Sequence, residues 1–337
     1  MVNNTKAPVI GDVAQMAGVS VSTVSRYLNG SPHIKAETAN RIARAITLLG
    51  YRPSAVARGL RKSALQIIAV FATNTTLLGS AITIEGIEAA ASENGYSVII
   101  SKLDPHSSQS NAQAITTVSD LNPAGVIVLK YDLAAVKAIG LLQRGVPTVV
   151  IGGEADKDHD QVSLCEHEGG KIITEYLLSL GHKTVHHVGV PVRSRQNSRF
   201  DGWSQALWDS GITVPEPLES TWDAQVAANL ADRLIALKAT AVFAGNDEIA
   251  MGLIAGLQRK GKKVPEDISV VGFDNHPLGD IWNPAITTFE QDFCAAGRCS
   301  VELLLKRIKA QNEGELLLPS IHEIPGRLVI RDSARKV

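Results

Sequence analysis

The first 50 residues carry apolar side chains at helical spacing, which predicts three short helices. The first helix has one apolar face, formed by Ile10, Val13, Ala14 and Ala17. Gly18 suits the left-handed conformation that ends a helix, and Ser20 is placed to cap a second helix. Val24 and Leu28 form the inner face of that second helix, and a third helix is expected over residues 36–49. The pattern predicts a small all-α headpiece over the N-terminal part of the chain.

From residue 65 onward the pattern changes, because β-rich apolar runs alternate with helical stretches. This alternation is typical of parallel β-α-β units, and two series of them predict an α/β body of two doubly wound parallel-sheet subdomains. We assign residues 65–163 and 293–320 to the first subdomain, and residues 164–292 and 321–332 to the second. Ligands of open parallel sheets bind beyond the carboxyl ends of the strands, so we expect a ligand cleft between the subdomains.

Charge separates the headpiece from the body. The whole chain has a formal net charge of −1, but its first 62 residues hold nine lysines and arginines against two acidic residues. A positive module on an acidic body predicts that the N-terminus meets a polyanion. The outer face of the second helix carries Val21, Ser22, Ser25 and Arg26. Small polar residues and an arginine suit the DNA major groove; an ordinary helical hairpin is the alternative, which the charge disfavours.

Residues 52–64 link the headpiece, residues 1–51, to the body. Pro53 breaks the chain, and a short helix can follow it as far as Leu60. Ala57 and Leu60 are small or apolar and lie among three basic residues. An apolar wedge among positive charges is the composition of a minor-groove intercalator, although a solvated basic linker would have a similar composition.

Several classes of protein are disfavoured by what the sequence lacks. Its three cysteines include no CxxC pair, which suits a reducing cytoplasm and argues against a metal site. We see no signal peptide and no apolar run long enough to span a membrane. The dinucleotide fingerprint, the phosphate loop and the GxSxG elbow are absent, so we expect no cofactor and no enzymatic activity. We expect the acidic loop at residues 156–160 to be solvated.

Polar and aromatic side chains follow several predicted strands of the body. Arg199 opens a helix, Trp222 follows PLEST, Asn246 and Asp247 follow TAVFAG, and Asp274 follows ISVVGF. A guanidinium, an amide, carboxylates and an indole at one sheet edge suit a polyhydroxylated ligand. Each position also has a structural alternative, since Asp247 can cap a helix and Trp222 can belong to the core.

The N-terminal motifs resemble those of one regulator family. The stretches DVAQMAGVSVSTVSRYLNGSPHIKAETANRI and GYRPSAVARGLR resemble the headpiece and hinge helix of the LacI family of bacterial transcription regulators. The resemblance implies that bases are contacted by Val21, Ser22 and Arg26. It places phosphate contacts at Thr23, Ser25, Asn29 and His33. It places a minor-groove wedge at Leu60, beside Ala57.

The body extends this resemblance. FAGNDEIAMG, VPEDISVVGFDN and PAITTFEQDF resemble the LacI-family regulatory domain, which is itself similar to type I periplasmic sugar-binding proteins. The implied effector-binding positions are Thr73, Leu77, Arg199, Trp222, Asn246, Asp274 and Phe293. This chain departs from sugar-responsive members at Gly152-Gly153, where some have an aspartate, and at Lys130, where a neutral residue is common. We therefore add Lys130 to the effector-binding candidates.

These observations predict a cytoplasmic homodimer that binds a palindromic operator and has no membrane partner. One headpiece contacts only a half-site, so a two-fold dimer matches a two-fold operator. We expect a repressor controlled by a small carbohydrate in the cleft. A purine, nucleoside or phosphorylated effector is the alternative, and a sugar-transport protein or an enzyme on the same fold are rivals from other classes.

Overall fold

A computed structural model of the chain describes residues 8–28, 31, 34–51, 65–143, 145–191 and 198–337. The chain divides into two compact units, Met1–Leu65 and Gln66–Val337. Among the described residues, no helix combines the length and the apolar character that crossing a membrane requires.

The described residues of the first unit form three helices, as the apolar spacing predicts. They are α1 (Ile10–Ala17), α2 (Val21–Leu28) and α3 (Ala36–Leu49). Gly18 ends α1 with a φ of 62°, in the left-handed region that favours glycine, and its amide bonds back to the helix. The helices share a small core of Val13, Ala14, Ala17, Val24, Ile42, Ala45 and Tyr51. The headpiece therefore has its own apolar centre.

The second unit begins with a six-stranded sheet. Its strands are β1 (Leu65–Ala72), β2 (Ser97–Lys102), β3 (Pro123–Leu129), β4 (Thr148–Ile151), β5 (Asp160–Ser163) and β11 (Ile321–Glu323), in the spatial order β11-β5-β4-β3-β1-β2. The associated helices are α4 (Leu78–Glu93), α5 (Ser108–Ser119), α6 (Leu133–Ile139) and α13 (Phe293–Glu313). Ile68 and Val70 pack with α4 and α13, while Phe71 points to the opposite core. Apolar residues on both faces are expected for a parallel sheet covered on both sides.

A second, four-stranded sheet follows in the chain. Its strands are β6 (His186–Gly189), β7 (Leu218–Glu219), β8 (Ala241–Ala244) and β9 (Ser269–Val271), in the order β7-β6-β8-β9 with parallel pairing. Its helices are α7 (Glu166–Ser179), α8 (Arg199–Asp209), α9 (Ala224–Ala228), α10 (Ala231–Ala236), α11 (Asp247–Arg259) and α12 (Pro277–Ile281). A separate antiparallel ribbon joins β10 (Thr288–Glu290) to β12 (Arg327–Val329). The predicted fold class, an α-helical headpiece followed by parallel α/β subdomains, is confirmed.

One predicted boundary is wrong. We assigned residues 321–332 to the second subdomain, but Ile321–Glu323 forms β11 and pairs in parallel with β5 of the first sheet. The short segment lies at the sheet edge with Ile321 half exposed, so it lacks the buried apolar run that marks the other strands. The chain re-enters the second subdomain only at β12, which pairs with β10.

Candidate functional site

Helix α2 presents its predicted DNA-contacting residues on one face. Val24 is completely buried against the headpiece core, while Val21, Ser22 and Arg26 are exposed. Thr23 and Ser25 lie half-buried at the borders of this face. Because Val24 anchors the helix, the polar and basic positions are held outward, as a major-groove helix requires.

The N-terminus of α2 is capped by a hydroxyl network. The backbone N–H of Thr23 donates to Ser20 Oγ over 3.2 Å, so Ser20 caps the helix as predicted. Ser20 Oγ also lies 2.8 Å from Ser22 Oγ and 2.8 Å from Thr23 Oγ1. The other DNA-contact candidates, Asn29, His33, Ala57 and Leu60, lie outside the described residues.

The second unit contains a cavity of about 940 Å³. The structure places every predicted effector-binding residue on its wall, namely Thr73, Leu77, Lys130, Arg199, Trp222, Asn246, Asp274 and Phe293. These residues come from both subdomains and span more than 200 positions of the chain. The prediction that strand-end residues share one cleft agrees with this placement.

Three close helix contacts bring these residues together, and small residues make each contact possible. Helices α4 and α13 pack against each other, and a Cβ at Gly86 or Gly297 would overlap the backbone of the opposite helix. Leu77 precedes α4 and Phe293 begins α13. The close approach therefore places both side chains at the same end of the helix pair.

The contact between α7 and α8 follows the same rule. A Cβ at Gly170 would overlap the carbonyl oxygen of Arg199, and one at Gly202 would overlap that of His167. Glu166 begins α7 and Arg199 begins α8, so this contact brings the two charged side chains into an ion pair.

Helices α9 and α11 form the third close contact. Gly252 and Gly256 leave no room for a side chain, because a Cβ at either would overlap the α9 backbone at Ala224 or Ala228. Trp222 lies just before α9, where it lines the cavity and also packs against the core of the second subdomain. Trp222 therefore belongs in part to the core, and its contact with a ligand stays a prediction.

Arg199 is the most constrained charged group of the cavity. Only 6% of the residue is exposed, and its guanidinium donates hydrogen bonds to the Gly245 carbonyl and to Glu166. Its Nη1 lies 3.5 Å from Asp274 Oδ1, and its Cζ lies 4.1 Å from the centroid of the Phe273 ring. Charge, hydrogen bonds and a cation–π contact hold the guanidinium in one position.

Asp274 sits at the end of the segment after β9 with a φ of 92°, in the left-handed region. Burial raises the pKa of Asp274 to about 7, and the Arg199 charge opposes this while Glu248 and Glu166 add to it. Near neutral pH this carboxyl is therefore only partly ionised, which is typical of a titratable group in a ligand site.

The helix that follows β8 is capped by Asn246 and not by Asp247, for which capping was one alternative. Asn246 caps α11, because its Oδ1 accepts the N–H of Ile249 over 2.9 Å. Asp247 does not cap the helix; it is buried and accepts the N–H of His276 over 2.6 Å. Burial raises the pKa of Asp247 well above its usual range. The cap occupies the Asn246 oxygen, and contact of this residue with an effector stays a prediction.

Lys130 lines the cavity but its ammonium is already bound. Its Nζ donates to the Glu154 carbonyl over 2.5 Å and lies 3.5 Å from Asp156 Oδ2. Gly153 makes room for this side chain, since a Cβ there would lie 2.8 Å from Lys130 Cε. The departures at Lys130 and Gly152-Gly153 are therefore one coupled feature, in which the lysine holds the adjacent loop.

The loop that follows β4 forms part of the cavity wall and is not simply solvated. Asp156 accepts the N–H groups of Asp158 and His159 over 3.0 and 3.1 Å. Burial alone would raise the pKa of Asp156, but these hydrogen bonds and the Lys130 charge lower it overall. Asp160, at the loop end, is 4% exposed and accepts hydrogen bonds from Arg307 and Ser320. The expectation of a solvated acidic loop is wrong for Asp160.

Sequence reasoning missed several cavity residues. They include Tyr131, Asp132, Glu166 and Glu248, all of which line the wall. Asp132 caps α6 and accepts a hydrogen bond from Thr73, so it orients a predicted residue. Tyr131 and Asp132 come directly after the predicted residue Lys130, and that adjacency is the signal that could have found them. Among the described residues, no cluster of histidines, cysteines and carboxylates could hold a metal ion.

Two family models match the chain. Residues 9–54 match "Bacterial regulatory proteins, lacI family", and residues 174–334 match "Periplasmic binding protein-like domain". The chain is 32% identical over 330 residues to the HTH-type transcriptional repressor PurR of Vibrio cholerae serotype O1 (strain M66-2), covering 96% of this chain and 98% of that protein.

Solved structures agree with these matches. The Lac repressor bound to ONPG in the repressed state superposes with a TM-score of 0.86 at 26% identity, over 97% of this chain and 100% of that one. A LacI family regulator from Enterococcus faecium with bound ribose gives a TM-score of 0.70 at 27% identity, over 80% of this chain and 99% of that one. With its helix-turn-helix headpiece and its parallel α/β body, the chain belongs to the LacI family of DNA-binding transcriptional repressors.

Proposed function

We propose that this repressor binds a palindromic operator as a homodimer in the cytoplasm and that an uncharged small molecule in the cavity controls its operator affinity. A purine base or nucleoside is the effector class with most support. The observation that carries the proposal is the convergence of all eight candidate residues on one cavity in a chain similar to PurR over nearly its full length. The name PurR favours the purine alternative over the carbohydrate that the sequence analysis put first.

The charges of the cavity disfavour a phosphorylated effector. Arg199 is bound to Glu166 and lies beside Asp274, and Lys130 is bound by Glu154 and Asp156. A phosphate would need free cations, and both buried cations among the described wall residues are already paired. An uncharged ligand with hydrogen-bond donors fits this wall better.

Trp222 supplies a flat apolar surface for such a ligand. The side chain lies at the cavity wall before α9, with its other side against the core. An indole stacks on a purine through its face and on the apolar face of a sugar. Because the Enterococcus faecium regulator was solved with ribose, a sugar is the second candidate.

Fluorescence anisotropy tests the proposal with a DNA duplex that the protein itself selects from a random library. We expect guanosine or inosine, but not ribose or glucose, to change the operator affinity by roughly tenfold, a usual allosteric coupling. Trp222→Leu should abolish the response. Trp208→Leu is the matched control, since Trp208 is 72% exposed and lies outside the cavity wall. A response to sugars alone would transfer the assignment to the second candidate, and no response to any of the four probes would contradict the proposed purine and sugar effectors.

For the headpiece, we propose that Val21, Ser22 and Arg26 contact bases and that Thr23 and Ser25 contact phosphates. The exposed face of α2 supports this assignment. Steep weakening of operator binding with added salt is expected, because the basic headpiece would release counterions from the DNA.

A further inference from the structure

We infer that Ser20 fixes the hydrogen-bond polarity of Ser22, so that Ser22 accepts a hydrogen bond from the exocyclic amino group of an adenine or a cytosine. The inference rests on the proposed function, in which Ser22 contacts a base and Thr23 contacts a phosphate. It adds which chemical group of the base Ser22 recognises, and it makes Ser20 the positioning residue for that recognition.

Three hydrogen-bonding groups converge on the Ser20 hydroxyl. The backbone N–H of Thr23 donates to Ser20 Oγ over 3.2 Å. Ser22 Oγ and Thr23 Oγ1 each lie 2.8 Å from the same oxygen, which is the usual distance of an O–H···O hydrogen bond. Ser20 therefore binds both of the hydroxyls that follow it on α2.

The capacity of a hydroxyl decides how these contacts are shared. A serine hydroxyl has one proton to donate and two lone pairs that accept. The Thr23 N–H occupies one lone pair of Ser20, which leaves one lone pair and one proton for the two neighbouring hydroxyls. One of these hydroxyls must therefore donate to Ser20, and the other must accept from it, because two oxygens at this distance repel without a proton between them.

The two neighbouring hydroxyls consequently offer opposite chemistry to DNA. The hydroxyl that accepts from Ser20 keeps its own proton free, whereas the hydroxyl that donates to Ser20 offers only lone pairs. Phosphate oxygens accept hydrogen bonds and donate none, so a phosphate contact at Thr23 requires Thr23 to keep its proton. Ser22 must then donate to Ser20 and offer only lone pairs to the base.

A lone pair on Ser22 selects among the base edges of the major groove. Adenine N6 and cytosine N4 carry the amino donors there, whereas guanine O6 and thymine O4 only accept. Ser22 is exposed, on a helix that is anchored by the completely buried Val24. A serine that rotates freely contacts either kind of group. The selectivity assigned to Ser22 therefore comes from Ser20.

Base analogues in the operator test the inference on the full chain. Duplexes selected from a random library by the wild type and by Ser22→Ala identify the base pair whose preference depends on Ser22. At that pair, purine in place of adenine, or 2-pyrimidinone in place of cytosine, deletes only the amino group. Fluorescence anisotropy should show that this deletion weakens binding roughly tenfold more for the wild type than for Ser22→Ala.

Deletion of the oxo group on the partner base is the matched control. It is made with 5-methyl-2-pyrimidinone in place of thymine, or with 2-aminopurine in place of guanine. Because Ser22 offers no proton to an oxo group, this deletion should weaken the wild type and Ser22→Ala equally. The comparison between the two proteins also removes the cost of the weakened base pair.

Ser20→Ala tests the positioning role through a ratio of affinities, which loss of the helix cap alone would not change. Inversion of the base pair should cost the wild type roughly tenfold in affinity, but it should cost Ser20→Ala less than about threefold, because the freed Ser22 hydroxyl can donate. Ser20→Thr keeps the hydroxyl and should keep the full ratio. Thr47→Ala, which removes an exposed hydroxyl from α3, should keep it too.

Thr23→Val gives the same test with the cap in place. It keeps the Ser20 hydroxyl and removes only the hydroxyl that competes with Ser22 for it. The overall operator affinity should fall with the lost phosphate contact, and the cost of inverting the base pair should fall as it does in Ser20→Ala. This variant decides the question even if Ser20→Ala fails to fold.

Two results would overturn the inference while the base contact of Ser22 stands. One is an amino deletion that weakens the wild type no more than Ser22→Ala. The other is a full inversion cost that persists in Thr23→Val. The proposed base contact fails in a different way, if the duplexes selected by Ser22→Ala match those selected by the wild type at every position, and the inference then fails with it.

Discussion

Helix α2 and the cavity organise their candidate residues in opposite ways. The DNA-contacting candidates within the described headpiece lie between Val21 and Arg26, on one eight-residue helix. The cavity candidates run from Thr73 to Phe293 and meet through the pairing of parallel strands and through close helix contacts. A short helix can therefore present its contacts by local periodicity, whereas the cavity depends on packing between distant segments.

The two arginines show the same difference. Arg26 is exposed on α2, where it can contact DNA without first breaking a buried interaction. Arg199 is buried among Glu166, Asp274 and the Phe273 ring. Removing the first should affect binding alone, and removing the second should affect the fold as well.

The largest effect is expected from Arg199→Ala. The variant leaves Glu166 and Asp274 without their shared cation in a buried site, which should lower the free energy of unfolding by about 4 kcal/mol. Urea denaturation followed by circular dichroism measures the loss. Arg298→Ala, which breaks an exposed pair with Glu93, is the control and should cost far less, because solvent and salt screen an exposed ion pair. Equal losses would contradict the distinction between buried and exposed pairs.

The next largest effect is on stability, and it compares the same substitution, glycine to alanine, in a tightly packed helix contact of the body and in a helix of the headpiece. Gly202→Ala should lower the free energy of unfolding by about 3 kcal/mol, because the new Cβ overlaps the carbonyl oxygen of His167. Gly11→Ala, on α1, should raise stability by about 0.5 kcal/mol, because its Cβ meets only Val9 at 3.9 Å. Calorimetry of the two variants measures the sign of each change in stability. A gain in stability for Gly202→Ala would refute the close α7–α8 contact.

A pH titration tests the buried Asp274. Its pKa of about 7 lies above the ordinary value, so the folded state holds an extra proton between pH 4 and pH 7. The contribution of Asp274 to stability is therefore lost as the pH rises through about 7. Between pH 5 and pH 8 the wild type should lose about 2 kcal/mol more than Asp274→Asn. The free energy of unfolding of both proteins is measured by urea denaturation across this pH range. If it changed with pH in the same way for the wild type and for Asp274→Asn, the pKa of Asp274 would be ordinary.

The smallest effect is expected from Arg26→Ala. Operator affinity should fall roughly tenfold through the lost base or phosphate contact, while the free energy of unfolding changes by less than about 0.5 kcal/mol. Anisotropy with the selected operator measures the first, and thermal unfolding the second. Lys137→Ala, at the end of α6 in the body, should leave operator affinity unchanged. An unaltered operator affinity in Arg26→Ala would remove α2 as the base-contacting helix.

Much of the fold could be predicted from apolar periodicity. The three headpiece helices, the Gly18 and Ser20 positions at their ends and the alternation of buried strands with helices all follow from local patterns. Strand β11 could not, because Ile321–Glu323 is short, exposed and paired with a strand about 160 residues away.

The candidate site could be predicted in outline. Arg199, Asn246 and Asp274 follow strands or open helices, and the general rule for parallel sheets places such positions at one edge. Glu166 and Glu248 lacked any such pattern, since an acidic residue in the first turn of a helix is common for electrostatic reasons alone. The loop held by Lys130 also required the structure, because Glu154 offers its backbone carbonyl.

The sequence by itself determined the outward face of α2 that carries Val21, Ser22 and Arg26, the basic charge of the headpiece and the parallel α/β class of the body. These depend on spacing and composition, which act over a few neighbouring residues. Only the tertiary structure decided which carboxylates share Arg199, which oxygens of Asp274 and Glu248 stay without hydrogen bonds, and that Lys130 holds a loop. Those outcomes depend on contacts between segments far apart in the chain; the Glu166–Arg199 pair, for example, depends on how closely α7 approaches α8, and Gly170 and Gly202 permit that approach.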